Sequence, residues 1–421
     1  MLIESMYCRT MTHSIPRPPR TPAADGWLTA SEAIARLGVK EQTLYAYVSR
    51  GLVRRERVTG TRASRYSRAD VERLAAKGRR IADGPGPEIV IDSAITLLEP
   101  AGHLYYRGWD VTRAAVEASY EDVAAWLWNV EPEDHWTASA EALAVARGVQ
   151  AALPAHASLG DRVRVVAAAV GSCDPLRADR RPPSVAARAR GLIATLVDAL
   201  PSIGADGGSS VAARLWSRVS PMTPTPARVK ALNAAMVLLA DHELAASTLA
   251  VRVAASTWAD PYLLVGAGLA AAGGPLHAGA SEKVRALVRE VAGGSSAEAV
   301  IGMLLQDGQP IPGFGHSVYQ GVDPRATVLL EAVHKGRPPT ALWRAANQVL
   351  EVVARHDGPH PNVDFALGVL AEANDMVAGA GEAIFVIARC AGWIAHGLEE
   401  YPHRLRYRIR AAYTGAPPTT V

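Results

Sequence analysis

The string Ala82-Asp83-Gly84-Pro85-Gly86-Pro87 constrains this chain more than any other. Two prolines and two glycines within six residues can continue neither a helix nor a strand ladder, so the polypeptide divides there. Residues 27–80, before the break, carry 13 Lys and Arg against 5 Asp and Glu. Residues 81–421 carry 28 against 34, so the overall net charge of +3 is that of a basic module on an acidic body. A local positive field of this kind attracts polyanions however neutral the remainder is. Residues 1–26 hold Pro16, Pro18, Pro19 and Pro22 with little apolar periodicity and read as a disordered arm; residues 81–90 read as a linker.

Beyond the linker, Ala, Leu and Val recur at helical spacing between Pro and Gly breaks, and alternating β-branched runs are few. The fold class expected is mainly α. Asp260-Pro261 has the form of an N-cap followed by proline at the first helical position, with Gly273-Gly274 ending the helix. The glycine pattern GAGLAA at Gly266 therefore falls inside a helix already begun and lacks the strand-turn-helix context of a dinucleotide site. Apolar runs such as Ala234–Ala240 and Tyr262–Leu269 fall short of the roughly 18 residues a membrane span requires. Cys8, Cys173 and Cys390 are odd in number and scattered, which argues against a disulfide framework or a zinc site and for a reducing, cytoplasmic setting. His356 and His360 are four apart but lie in a DGPHP loop, so no metal is expected there.

In the basic block, Thr29-Ala30-Ser31-Glu32 is a capping box that opens a short helix through Ala33, Ile34 and Leu37 to a turn at Gly38. A second helix over Lys40–Ser49 turns Leu44 and Val48 inward and leaves Lys40, Gln42, Thr43 and Tyr47 partly free to meet a groove. Arg55, Arg57, Arg62 and Arg65 flank the turn Thr59-Gly60-Thr61 between two extended arms, and Ser67-Arg68-Ala69-Asp70 caps a third helix. The string from Leu28 to Leu74 resembles the winged helix-turn-helix of the MerR and excisionase families. That resemblance implies duplex DNA as a partner, with the second helix in the major groove and the wing arginines on phosphates.

Five strings in the body join ionisable residues to glycine or proline turns: ADHELAAST from Ala240, GGPLHAGASE from Gly273, PGFGHSVYQGVDPRA from Pro312, PNVDF from Pro361 and FVIARCAGW from Phe385. Singly, His277 reads as a structural histidine, Asp364 as a helix cap and Arg325 as a surface charge. Their order and spacing together resemble the citrate synthase family over residues 90–421, and YRGWDV at Tyr106 resembles that family's N-terminal segment. The resemblance implies a large helical domain of residues 91–278 and 370–421, a small domain of residues 279–369 that closes over it, and a homodimer.

It also implies roles. His277 would bond the thioester carbonyl, His316 would polarise the oxaloacetate ketone and Asp364 would be the base. His242, Arg325 and Arg389 would hold oxaloacetate, Arg408 would reach the neighbouring subunit's site, and Phe385 would lie near the acyl group. The loop Pro312, Gly313, Phe314, Gly315 would run along the CoA adenine. Oxaloacetate and an acyl-CoA thioester would be the substrates, with no further cofactor. A methyl group beside a thioester is a very weak acid, so a carboxylate base needs a donor that stabilises the oxygen charge as it forms. Ser317 and Gln320 stand where arginine and lysine are common in the family, which weakens the attraction for CoA phosphates. The reaction expected is condensation of oxaloacetate with acetyl-CoA or propionyl-CoA to citrate or 2-methylcitrate. The alternative is a DNA-binding regulator whose body senses oxaloacetate, citrate or CoA.

Overall fold

The computed structural model of the chain describes residues 27–49, 51–58, 64–72, 91–99, 102–133, 135–274, 279–319 and 321–407. The arm at 1–26, the linker at 81–90, and with them Arg62, His277 and Arg408, lie outside the described residues. The chain forms two compact units, Met1–Ala94 and Ile95–Val421.

In the first unit, strands Trp27–Thr29, Arg55–Arg57 and Ser64–Ser67 form an antiparallel sheet with Ser64–Ser67 in the centre. The capping box forms as the sequence predicts: the Thr29 hydroxyl accepts from the Glu32 N–H, and the Glu32 carboxylate accepts from the Thr29 N–H at 2.7 Å. The helix Ala30–Leu37 ends on Gly38, whose φ of 65° is the left-handed conformation that glycine adopts without strain. The second helix, Glu41–Ser49, buries Leu44 against Leu28, Ala33, Val53, Tyr66 and Val71. A core this small contributes about 2 kcal/mol per large apolar side chain, so polar ties matter. The buried Asp70 supplies one, accepting both the backbone N–H and the Nε of Arg54 at 3.0 and 2.8 Å. Arg54 thereby holds the Asp70 carboxyl down at about 2.

The second unit is helical around one contiguous apolar core. Its axis is the helix Ala380–Glu400, buried along most of its length because small residues and aliphatics occupy every face. The helix Pro261–Ala272, capped by Asp260 and closed by Gly273, matches the sequence reading and contains the GAGLAA string wholly within helix. One element was not legible in sequence: an antiparallel sheet of Thr96–Glu99, His103–Tyr106 and Trp109–Asp110. Its strands are too short to show alternation; the backbone turns on Gly102 and on Arg107-Gly108, all with positive φ. Packing among further helices positions the chemistry discussed below. Pro324–Lys335 packs on both Pro226–Leu239 and Val363–Ala373, and Val363–Ala373 packs on Ala280–Ala292. No helix among the described residues is long and apolar enough to cross a membrane.

Candidate active site

Residues from four of the five strings line one cavity of about 150 Å³: His242, His316, Arg325, Asp364, Phe385 and Arg389, together with Ala245, Asn362 and Val363. They come from segments up to 147 residues apart, and each is brought in by a different local device.

Arg325 sits in the first turn of Pro324–Lys335, where Asp323 is the N-cap. The buried Asp323 carboxylate accepts Arg325 Nε at 3.0 Å and Nη2 at 2.8 Å, and its Oδ2 also accepts the Val363 N–H at 3.0 Å. One carboxylate thus fixes a guanidinium and the start of the next helix. Burial alone would raise the Asp323 pKa, but the charge and hydrogen bonds of Arg325 hold it below the usual carboxylate value.

Asp364 is in the first turn of Val363–Ala373, after the N-cap Asn362, whose side chain accepts the N–H groups of Asp364 and Phe365. Asn362 also donates Nδ2 to the Gly315 carbonyl at 2.8 Å and its N–H to the Gly313 carbonyl at 2.9 Å. The loop Pro312–Gly315 is therefore clamped to the segment that presents Asp364, a tie completed by the Gly315 N–H to the His360 carbonyl and by Phe314 edge-on to Phe365 at 5.1 Å. Gly313 has φ 78°, and a Cβ there would lie 2.7 Å from Val284. Loss of solvent raises the Asp364 pKa to about 6, against the pull of Arg325. Among the described residues nothing donates a hydrogen bond to its carboxylate, so it remains a base poised near neutrality.

His316 has one definite tautomer when neutral. Its Nδ1 accepts the N–H groups of Val318 and Tyr319 at 3.0 and 3.2 Å, so the proton resides on Nε2. Nε2 lies 3.4 Å from Arg325 Nη2, a donor facing a donor, and its hydrogen is left for another acceptor. Burial, then the Arg325 charge, lowers the His316 pKa and keeps the ring neutral. The His242 ring lies 5.1 Å from that of His316, and its Nε2 is 3.3 Å from the Tyr319 hydroxyl. Burial together with Arg325 and Arg389 drives the His242 pKa well down.

Arg389 and Phe385, four apart on Ala380–Glu400, share a face; the guanidinium carbon is 4.6 Å from the Phe385 ring centre, and Nε donates to the Leu239 carbonyl at 2.7 Å. Beneath His242, the fully buried Asp241 carboxylate accepts from the Thr96 hydroxyl at 2.5 Å and from the Glu243 N–H at 3.0 Å. It also meets His396 Nε2 at 3.3 Å. Arg252 donates to His396 Nδ1 at 2.9 Å, which makes Nε2 the protonated nitrogen directed at Asp241.

Sequence reasoning identified six cavity residues but missed Asp323, Asn362 and Tyr319, all of them inside the quoted strings. An aspartate immediately before Pro-Arg, at the head of a helix, is the signal that could have identified Asp323 as both cap and ion-pair partner. Among the described wing and helix residues of the first unit, Lys40, Gln42, Arg55, Arg57 and Arg65 are exposed and Thr43 is half-buried.

Residues 87–411, well over half of the chain, match the family described as citrate synthase, C-terminal domain. The chain belongs to the citrate synthase family. Its relatives include citrate synthase 2 of Bacillus subtilis, 36% identical over 195 residues that make up 46% of this chain and 52% of that protein. The match thus spans about half the length of that curated relative. Among solved structures, citrate synthase of Thermotoga maritima superposes with a TM-score of 0.64 at 27% identity, covering 79% of this chain and 95% of that one. Citrate synthase of Pyrobaculum aerophilum gives 0.66 at 25% identity, covering 79% and 92%. Residues 28–77 match the MerR HTH family of regulatory proteins. The mainly helical architecture expected from sequence is the citrate synthase fold.

Proposed function

We propose that residues 91–421 condense oxaloacetate with a short acyl-CoA, acetyl-CoA giving citrate or propionyl-CoA giving 2-methylcitrate, with release of CoA. The observation that carries this reading is the single cavity in which a carboxylate with a raised pKa, a neutral histidine with a free Nε2–H and two buried arginines meet. Asp364 takes a proton from the carbon beside the thioester, and His277 donates to the thioester oxygen as charge develops there. The resulting carbon nucleophile attacks the ketone of oxaloacetate, polarised by the Nε2–H of His316. Arg325, Arg389 and His242 hold the carboxylates, because arginine forks match carboxylates in bidentate geometry. Water then cleaves the thioester, leaving the free carboxylate and the CoA thiol. Phe385 borders the acyl group, and the loop Pro312–Gly315 lies along CoA. A domain of residues 279–369 closes over residues 91–278 and 370–421 to exclude water until both substrates are bound. A homodimer places Arg408 of each chain in its neighbour's site, as an isologous interface does twice at once. A thiol-release assay with oxaloacetate and a panel of acyl-CoA esters tests the reading. Absence of thiol release with every short ester, from folded protein, removes it.

A second reading concerns the first unit. Its match to MerR regulators and its exposed Lys40, Gln42, Arg55, Arg57 and Arg65 favour binding to duplex DNA, with the half-buried Thr43 beside them on the second helix; the sequence pattern adds Arg62 to the proposed contact. The body would then report oxaloacetate, citrate or CoA to the DNA-bound module through differential affinity for two domain arrangements.

A further inference from the structure

The second unit has an arginine cluster that the chemistry above does not use. At the end of helix Pro182–Asp198, a cleft of about 370 Å³ is lined by Arg147, Arg162 and Arg218 with Gln150, Asp198 and the turn Ala199–Ser202. Among the described residues Asp198 is the one acidic residue lining it; its carboxylate is paired with Arg214 and also lies in the field of Arg218 and Arg147. Among the described residues Arg147, Arg162 and Arg218 form no ion pair with a carboxylate.

Two buried polar atoms of the residues lining this cleft have no hydrogen-bond partner among the described residues. Gln150 is 6% exposed; its Nε2 donates to the Ala199 carbonyl at 2.8 Å, which fixes the amide orientation and leaves Oε1 unpartnered. Arg218 donates Nη1 to the Leu200 carbonyl at 3.1 Å, while its buried Nε has no acceptor. Buried polar groups are nearly always satisfied, and a donor on an arginine is among the costliest to leave bare. Three arginines gathered in one site repel one another, and Asp198, whose charge is shared with Arg214, offsets only part of that repulsion, so the cleft keeps an excess of positive charge.

We propose that this cleft binds a small organic or inorganic oxyanion with at least two negative charges, gripped by Arg147, Arg162 and Arg218, with a ligand hydroxyl or protonated oxygen donating to Gln150 Oε1. Arginine forks take carboxylate and phosphate oxygens in the same bidentate geometry, so polycarboxylates and phosphate compounds share the required chemistry. The volume suits a ligand of metabolite size.

Calorimetric titration of the full chain at low ionic strength with inorganic pyrophosphate, and separately with tricarballylate, tests the proposal. The comparison variant is Arg147→Gln/Arg162→Gln, which disturbs no side-chain hydrogen bond among the described residues and whose fold is checked by circular dichroism and thermal melting. The expected result is a Kd at least tenfold weaker in the variant for whichever anion binds the wild type more tightly, with thiol release in the absence of added anion unchanged. The preferred anion assigns the site to phosphate compounds or to polycarboxylates. Equal affinity in wild type and folded variant, which would put the anion elsewhere, or no binding of either anion to the wild type, overturns the proposal.

Discussion

The carboxylate of Asp323 is shared between the guanidinium of Arg325 and the backbone N–H of Val363, so the residue proposed to hold oxaloacetate and the helix that presents Asp364 are set by one side chain. Replacing it leaves Arg325 buried with its charge unpaired. Asp323→Asn is expected to cost about 3 kcal/mol or more of stability, in the range for breaking a buried pair from one side. Oxaloacetate affinity should fall as well. Urea denaturation and calorimetry measure the two effects, and a stability loss within 0.5 kcal/mol of zero, an order-of-magnitude threshold set by ordinary surface substitutions, would count against the shared role.

Asp364→Asn separates chemistry from binding. The amide cannot accept the methyl proton, so thiol release should disappear while oxaloacetate binding persists. Stability should move the other way. The folded pKa is raised from 3.8 to about 6, so the fold disfavours the charged form. The stabilisation associated with the neutral form is present below the unfolded value and is lost as pH rises through about 6. The amide variant should therefore be more stable than wild type at pH 8 by roughly 1 kcal/mol, less than the full shift implies because the side chain is only partly shielded from water. Near pH 4 the advantage should vanish. Melting curves at the two pH values decide the matter.

The same shift predicts the pH dependence of turnover. A base must be ionised to act, so kcat/KM should rise with pH along an acid limb centred near 6 and then level. An acid limb centred near 4, the range of an unperturbed carboxylate, would show that the base is not held at a raised pKa, and the assignment would then rest on Asp364→Asn alone.

Gly392 lets the axial helix touch the loop that carries His242. A Cβ at this position would overlap Asp241 Oδ1 and the Ala240 carbonyl and stand 2.8 Å from Asp241 Cβ. Gly392→Ala gains about 1 kcal/mol of helix propensity yet should be net destabilising by about 2 kcal/mol, since backbone and a buried carboxylate must shift. Gly148→Ala, in the helix Ala140–Ala151 with nothing within 4 Å of the added methyl, is the control and should stabilise by up to about 1 kcal/mol. Chemical denaturation of both distinguishes steric conflict from propensity.

For the first unit, retention of duplex DNA should fall steeply as salt rises, and Arg55→Ala/Arg57→Ala should reduce the salt slope by about 2. Deletion of residues 1–86 should abolish retention and preserve thiol release. Full-length protein that retains no duplex at low salt would leave the module without the DNA role.

Much of this protein was written locally. Caps, turns and helical spacing are decided within a few residues, so Thr29 with Glu32, Asp260-Pro261 and Gly38 were readable directly. The strings PGFGHSVYQGVDPRA and PNVDF were legible for a related reason: each pairs its ionisable groups with the turn or cap residues that display them, whereas Arg389 stands mid-helix in Ala380–Glu400 and no local turn marks it. What only the tertiary structure decided was protonation and partnership. The neutral tautomer of His316 depends on how its own loop folds back, and the raised pKa of Asp364 depends on burial by segments distant in sequence. The Asp323 contact to Val363 spans 40 residues, and the Asp241 contact to His396 spans 155. No local pattern encodes such distances, because a carboxylate's partners are whatever donors the packed helices deliver to it.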